Sequence, residues 1–554
     1  MTGLSLEQSK LEVSQQRNLK RMLRRIRASR QKAPAPSSPR NGLRHHIGSA
    51  IRKHMPSLTL PSSVIGHAHD TGAADQHDNK TNGIDAADGS EWGAEEDDDG
   101  ISPRRMDITI DISDSPSPQE LQTRVAHLFN KVFEPKPEIL ADHVAIQRLS
   151  GAMTNCVFMV TISPAPTVPS SSSISHVHKW TNLRSNSKKK DSEANKGRIL
   201  LPSKYLLRVY GTGVDEFLLR DKELYWLSQL TSLGFGPRLY GIFGNGRLEE
   251  FLESTTLTKD DIRDPSTSKH IARRMCELHS LVSYYRPFKN NNGSDLTSSM
   301  ASVSSLAQGV DLSGYPELWS NVDSWMLLVQ KKWARIMQVC AKNPQCMDIL
   351  DNWTRVEQAA GKMRRVIEAS GSPVVFAHDD LQYGNILKLQ GTEELVVVDF
   401  EYAGYNYRGY DIANHFCEWM ADYHHDVHPH QLDESWYPTA DQRRGFLRTY
   451  VKAKAFMDAN MKADVGVVES DDLQIELREI RLTDEKIGLE IEKLDREVAY
   501  FVPASHFHWG IWGLLQACSS EIDFDYVGYA TQRLAIFLRL VQQMSQPAVA
   551  VSEI

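Results

Sequence analysis

The sequence predicts an α+β chain in two unequal parts, a strand-rich N-terminal part and a larger, mainly helical C-terminal part. Three observations carry this. Short apolar runs of strand length fill the stretch from Ile146 to Phe251, and beyond it apolar residues recur at helical spacing. The 554 residues are 41% hydrophobic and include 11 Trp, 18 Tyr and 17 Phe, enough for a large core. Inside the helical part, two further apolar runs, Val374 to Ala377 and Leu395 to Val398, each end in a polar cluster.

Those clusters are chemically specific. The first gives His378, Asp380 and, five residues after Asp380, Asn385; the second gives Asp399, fourteen residues after Asn385. Phosphoryl transfer needs a carboxylate to accept the attacking hydroxyl's proton, and an amide and a carboxylate to hold magnesium on the nucleotide phosphates. His-x-Asp, then Asn, then a strand ending in Asp-Phe is the layout of a kinase catalytic loop, with Asp-Phe-Glu here where protein kinases have Asp-Phe-Gly. A buried strand pair with polar turns is the plainer reading, and four residues in register weigh against it.

Residues 1–115 read as a mostly disordered extension rich in Ser, Pro, Gly and Asp. No acidic residue occurs from Val13 to His69, and residues 17–32 hold eight Lys and Arg; the run around Glu95 to Asp99 is the opposite. Leu19, Met22, Leu23 and Ile26 share one face of a short basic helix, suited to peripheral docking on anionic membranes. A solvated tail with transient helicity is the competing reading. Ser29 follows Arg27 as a candidate basophilic phosphorylation site, and Glu7 and Glu12 speak against a transit peptide. A net charge of −8 argues against bulk nucleic-acid binding. The six scattered cysteines form no CxxC pair. With no signal-peptide pattern, no bilayer-length apolar run and no internal repeat, a cytoplasmic protein with reduced thiols is expected.

From Pro118 a helix carries Val125, Leu128, Phe129 and Val132. Two strands flank the turn Ser150-Gly151-Ala152-Met153-Thr154-Asn155-Cys156, whose backbone N–H groups could cover phosphates, although most Ser-Gly turns are only turns. A Ser- and Lys-rich insertion, about 163–200, precedes the strand Tyr205 to Tyr210. Arg208 inside that apolar strand needs a partner. It is expected to contact phosphate and to pair with Glu223 from the next helix, the alternative being a snorkelling Arg and a solvated Glu. Strands at Pro237–Phe243 and Gly246–Phe251 should end at a hinge where an adenine ring meets backbone. Helices are expected over Thr267–Val282, Leu318–Ala341, Met347–Ser370 and Leu473–Phe501, with loops near 289–311 and 463–472. Trp509 and Trp512 lie three apart on one helical face, a pattern that alone belongs to a core before a ligand cage.

The stretches His378 to Leu387 and Val398 to Trp419 closely resemble the choline/ethanolamine kinase family, as do Leu207-Arg208-Val209-Tyr210-Gly211, Tyr240 to Phe243 and the Trp509/Trp512 segment, and the N-terminal extension and the insertion after Ser163 look like those of its fungal members. The resemblance runs from about Gln119 to Gln543. It implies a eukaryotic protein-kinase-like fold, with a small β-sheet N-lobe (116–252) and a large, mainly helical C-lobe (253–554). It also implies the reaction of ATP with choline to give phosphocholine and ADP, the first step of the CDP-choline route to phosphatidylcholine. By motif match, Asp380 would be the base, and Asn385 and Asp399 the magnesium ligands. ATP would face Ser150–Cys156, Arg208 with Glu223, the strand Asn245, Gly246, Arg247, Leu248, Glu249, Glu250 and Phe251, and Gln382. Choline would meet Asp380, Tyr402, Glu418, Tyr423, Trp509, Trp512 and Tyr529. Aromatic faces suit a trimethylammonium, which has no strong hydrogen-bond donor, and the resemblance thereby reverses the core reading of the two tryptophans. A homodimer is implied too. One departure stands out: Asp379 occupies the position where the family usually has Asn, placing a second carboxylate beside the base. Ethanolamine as sole or second acceptor, an antibiotic-type phosphotransferase, and a weakly active scaffold docked at membranes are the competing readings.

Overall fold

The computed structural model describes residues 103–112, 117–133, 138–149, 155–165, 167–169, 198–210, 220–233, 235–284, 316–465, 483–520 and 522–544. The basic tract 17–32, Ser29, the turn Ser150–Thr154, most of the 163–200 insertion, and most of the loops 289–311 and 463–472 lie outside the described residues.

The N-lobe is a six-stranded sheet in the order β1-β7-β8-β6-β3-β2. Its strands are β1 (Arg104–Met106), β2 (Val144–Leu149), β3 (Asn155–Ile162), β6 (Lys204–Tyr210), β7 (Leu239–Phe243) and β8 (Gly246–Glu250), with a separate hairpin of β4 (Thr167–Pro169) and β5 (Arg198–Leu200). Helix α1 (Pro118–Val132) opens with a capping box, in which Ser117 accepts from the Glu120 amide and Glu120 returns to the Ser117 amide. It lays Val125, Leu128 and Phe129 on the sheet.

Strand periodicity divides β6 cleanly. Tyr205, Leu207 and Val209 are buried in the core under α1, and Arg208 and Tyr210 therefore project from the opposite face, toward the C-lobe. Gly246 lies where an added Cβ would collide with the Arg208 carbonyl, so β8 can approach β6 only without a side chain there. The ordered lobe also begins earlier than residue 116. β1 pairs in parallel with β7, and Ile110 is fully buried beside Val125 and Phe129. Alternate Ile108, Ile110 and Ile112 supply the apolar face that polar neighbours obscure.

After β8 the chain crosses to the C-lobe, where β9 (Ser254–Thr256) pairs with β11 (Ile386–Leu389), itself paired with β12 (Leu395–Val397). β10 (Val374–Ala377) pairs with β13 (Gly404–Tyr407). Helix α2 (Arg220–Leu233) belongs to the N-lobe, and α3 (Pro265–Tyr284) opens the helical lobe. The single helix expected over Leu318–Ala341 is two, α4 (Glu317–Lys331) and α5 (Trp333–Cys340), broken at Lys332. The next is likewise two, α6 (Pro344–Asp351) and α7 (Trp353–Glu368). The break between them is Asn352, whose side chain donates to the Asp348 carbonyl and so competes with helical bonding. Then follow α8 (Arg408–Glu418), α9 (Ala440–Val465), α10 (Asp484–Ser519) and α11 (Tyr526–Gln543). α10 starts at Asp484, the expected helical residues 473–482 lying outside the described residues, and it runs through Pro503, so Trp509 and Trp512 sit on its second half. Among the described residues, no helix is long and apolar enough to cross a membrane.

Candidate active site

The catalytic loop fills the gap between β10 and β11. Buried Asp411 on α8 holds its start: Oδ2 accepts from the His378 amide at 3.1 Å and Oδ1 from the Asp379 amide at 2.8 Å. His279 Nε2 donates to the same Oδ2 at 2.8 Å, and its Nδ1 meets Tyr450 Oη at 2.8 Å. Burial works to raise the Asp411 pKa, but the His279 hydrogen bond and charge and the loop amides overcome it, leaving Asp411 lowered and ionised. Its neighbour takes the proton instead. Burial first, then the Asp411 charge, pushes Asp379 far above the carboxylate range. Asn406 Nδ2 donates to Asp379 Oδ2 at 2.9 Å. Asp379 sits at φ 64°, a left-handed conformation that Asn and Asp tolerate better than most residues.

The folded state keeps a proton on Asp379 that the unfolded chain releases near pH 4, so folding loses stability as pH rises from there toward the raised value. Asp379→Asn has no such loss. It should melt above the wild type, with the gap widening between about pH 5 and 8. Equal melting temperatures across that range would show that Asp379 carries no such proton.

His378 is a neutral Nε2–H imidazole. Nε2 donates to the Val398 carbonyl at 3.0 Å, Nδ1 accepts from the Asp380 amide at 3.3 Å, and burial lowers its pKa. It thus ties the catalytic loop to the strand end before Asp399. Asn385 Nδ2 donates to Asp380 Oδ2 at 2.8 Å and to the Asp380 carbonyl at 2.9 Å, which orients the carboxylate. The Val398 amide donates to the Asn385 carbonyl at 3.0 Å, setting Asn385 against Asp399 across the two-strand turn.

Asp399 is held at φ 66°, with Oδ2 4.0 Å from Arg208 Nη1 and a buried Oδ1 that accepts no hydrogen bond. That orphaned oxygen beside an amide whose nitrogen is already used suits a divalent cation. Among the described residues no three His, Cys, Asp or Glu side chains gather into a metal site. One carboxylate and one amide, completed by phosphate oxygens and water, is how magnesium is commonly held on a nucleotide.

On the N-lobe side the expected Arg208–Glu223 pair does not form. Glu223 pairs with Arg247 Nη1 at 2.7 Å, and Arg247 also binds Glu249. The register explains it: Arg208 and Arg247 face each other across β6 and β8, and Glu249 and Glu223 balance the two cations. Arg208 is left at 3.7 Å from Glu249 and turned toward Asp399. Other expected nucleotide residues are occupied elsewhere. Asn245 clamps the Ile110 amide and carbonyl, and Leu248 packs in the core under α1. Glu250 accepts from the Arg238 amide at 3.2 Å, and Lys204 lies over Phe251. Gln382 Oε1 is engaged by the Gly384 amide at 2.7 Å. Asn155 opens β3, and Cys156 follows it opposite Val209.

The aromatic residues do converge. Tyr402 and Trp509 meet edge-to-face at 5.2 Å, Trp509 and Trp512 at 5.5 Å, and Trp512 and Tyr529 at 6.1 Å. Their polar atoms bond among themselves or behind the wall. Trp512 Nε1 donates to Tyr402 Oη at 2.9 Å, Trp509 Nε1 to Asn414 Oδ1 at 2.8 Å, and Tyr423 Oη to Glu418 Oε2 at 2.7 Å. Asn414 Nδ2 reaches the Asp379 carbonyl at 3.0 Å, tying the cage helix to the catalytic loop. Asp380 lies within the field of Glu418, Asp399 and Glu401; burial first, then those charges, raises its pKa well above the carboxylate range.

The family model described as Choline/ethanolamine kinase matches residues 146–538, well over half of the chain. The chain belongs to the choline/ethanolamine kinase family. A choline kinase of Schizosaccharomyces pombe is 30% identical over 413 residues, 72% of this chain and 76% of its own length. A human choline/ethanolamine kinase is 32% identical over 351 residues, 62% of this chain and 74% of its own. Among solved structures, a Plasmodium vivax ethanolamine kinase superposes with a TM-score of 0.51 at 22% identity. It covers 75% of this chain and 88% of its own, a likeness of fold. The protein is accordingly a phosphotransferase with the protein-kinase-like fold. In this choline/ethanolamine kinase, the residues that sequence reading passed over are Asp411, His279, Asn414 and Arg533. Asp411 and Asn414 were within the matched motif, but their roles depend on partners outside it, from Asp379, 32 positions before Asp411, to His279, 132 before it, and Ser505, 91 after Asn414.

Proposed function

We propose that this kinase transfers the γ-phosphoryl group of ATP to the hydroxyl of choline, giving phosphocholine and ADP. The observation that carries the reading is the cage. Its aromatic rings pack together and are tied through Asn414 to the Asp379 carbonyl next to Asp380, while the Trp512 N–H is bonded to Tyr402 and the Trp509 N–H and Tyr423 O–H to Asn414 and Glu418 behind them. Such a surface offers π-faces, which suit a quaternary ammonium that has no N–H to satisfy.

Choline seated there would place its hydroxyl at Asp380. Asp380 accepts the hydroxyl proton as the oxygen attacks phosphorus, and Asn385 keeps the carboxylate aimed. Arg208 and the backbone of β8 and the hinge would hold the nucleotide. Asn385 and Asp399 would hold magnesium, which when bound neutralises charge on the transferred phosphoryl group. The remaining work of the chain is positioning two substrates in line.

Trp512→Ala removes one cage face. With a cation–π contact worth about 2 kcal/mol when desolvated, choline KM should rise roughly thirtyfold, with kcat changed far less. An unchanged KM would place choline elsewhere. Coupled ADP release with Mg-ATP and choline, ethanolamine or no acceptor tests the proposal: turnover should depend on acceptor and favour choline. Turnover with ethanolamine alone would keep the chemistry and overturn the choice of acceptor.

A further inference from the structure

Behind the cage lies a cation that the mechanism above does not use. Arg533, one turn after Tyr529 on α11, is fully buried, and its Nη2 donates to Glu418 Oε1 at 2.7 Å. Its guanidinium also stands 5.0 Å from the centre of the Tyr529 ring. The other Glu418 oxygen accepts from Tyr423 at 2.7 Å. The buried acid of the pocket therefore has a donor on each oxygen, and its charge is balanced by a group that does not deprotonate in proteins.

The consequence differs for the two kinds of acceptor alcohol. A primary ammonium brings three N–H donors, and each that finds no acceptor on leaving water is a loss. A trimethylammonium has no N–H to satisfy and is held by ring faces and charge. We infer that Arg533 is a positioning residue for acceptor selectivity: by donating to Glu418 Oε1 and balancing its charge it weakens that oxygen as an acceptor for a primary ammonium and so favours a quaternary one in the cage. Tyr423 acts in the same sense on Oε2 with a neutral donor. This rests on the choline-kinase reading.

The test is the ratio of kcat/KM for choline to that for ethanolamine in the full chain, measured for wild type, Arg533→Met, Arg533→Lys and Tyr423→Phe, with melting temperatures beside it. Arg533→Met exposes an uncompensated acceptor, and the ratio should fall about tenfold, carried mainly by a lower ethanolamine KM. Arg533→Lys restores a charged donor and should restore most of the ratio. Tyr423→Phe should move the ratio the same way by less, and it carries the test if Arg533→Met does not fold. A purely structural role predicts equal losses for both acceptors. An unchanged ratio in Tyr423→Phe and in whichever Arg533 variant folds overturns the inference. Wild-type enzyme inactive on choline would instead remove the reading beneath it.

Discussion

Asp380→Asn should lower choline-dependent turnover by about 10³-fold, the middle of the range for a positioned general base, and leave choline and ATP KM within a few-fold. The replacement is close in shape, and its side-chain oxygen can still accept from Asn385, so the loop should keep its geometry. What is lost is the group that takes the proton. The same residue sets the acid limb of the pH profile. Burial and the charges of Glu418, Asp399 and Glu401 raise the Asp380 pKa, and only the deprotonated form is a base. kcat/KM should therefore fall with decreasing pH through a value above the ordinary carboxylate range. Steady-state rates at saturating Mg-ATP measure both effects. Retention of more than a tenth of the wild-type rate in Asp380→Asn would remove Asp380 from the role of base.

The second large effect is expected at Asp411, which touches no substrate. Asp411→Ala strips acceptors from the His378 amide, the Asp379 amide and His279 in a fully buried setting. Each unsatisfied buried group costs about 1–3 kcal/mol, so a total on the order of 4 kcal/mol or more is expected. That corresponds to a melting temperature lower by on the order of 10 °C. Because the loop anchored here carries Asp380, turnover should collapse along with the packing. Asp411→Asn keeps one acceptor oxygen and should lie between wild type and Ala in melting. A melting temperature for Asp411→Ala equal to that of wild type would show that the loop has another anchor.

The architecture was legible where periodicity and spacing carry it. Strands β10 and β12 emerged from two apolar runs, and the polar residues closing them do meet at one site. Side-chain partnership was less legible, because it depends on register. Arg208 and Glu223 look matched along the chain, yet the cross-strand position of Arg247 captures the glutamate. The early edge of the N-lobe was hidden because Ile108, Ile110 and Ile112 are embedded in a polar, acidic stretch and the strand before them, Arg104–Met106, pairs with one more than a hundred residues later. Arg533 carries no local signal at all: its partner Glu418 is 115 positions away. The aromatic cage illustrates the reverse. Spacing alone favoured a core, and Trp509, at 5% exposure, does pack as one. Its tie through Asn414 to the Asp379 carbonyl is what supports the binding role proposed for it.

The most direct measurement is a phosphorus NMR time course of the purified full chain with Mg-ATP, with and without choline. The account predicts that the ATP γ-phosphorus signal is replaced by a phosphomonoester signal of phosphocholine, one for each ADP formed, only when choline is present. ATP consumption at the same rate without choline, or inorganic phosphate as the phosphorus product, would contradict it.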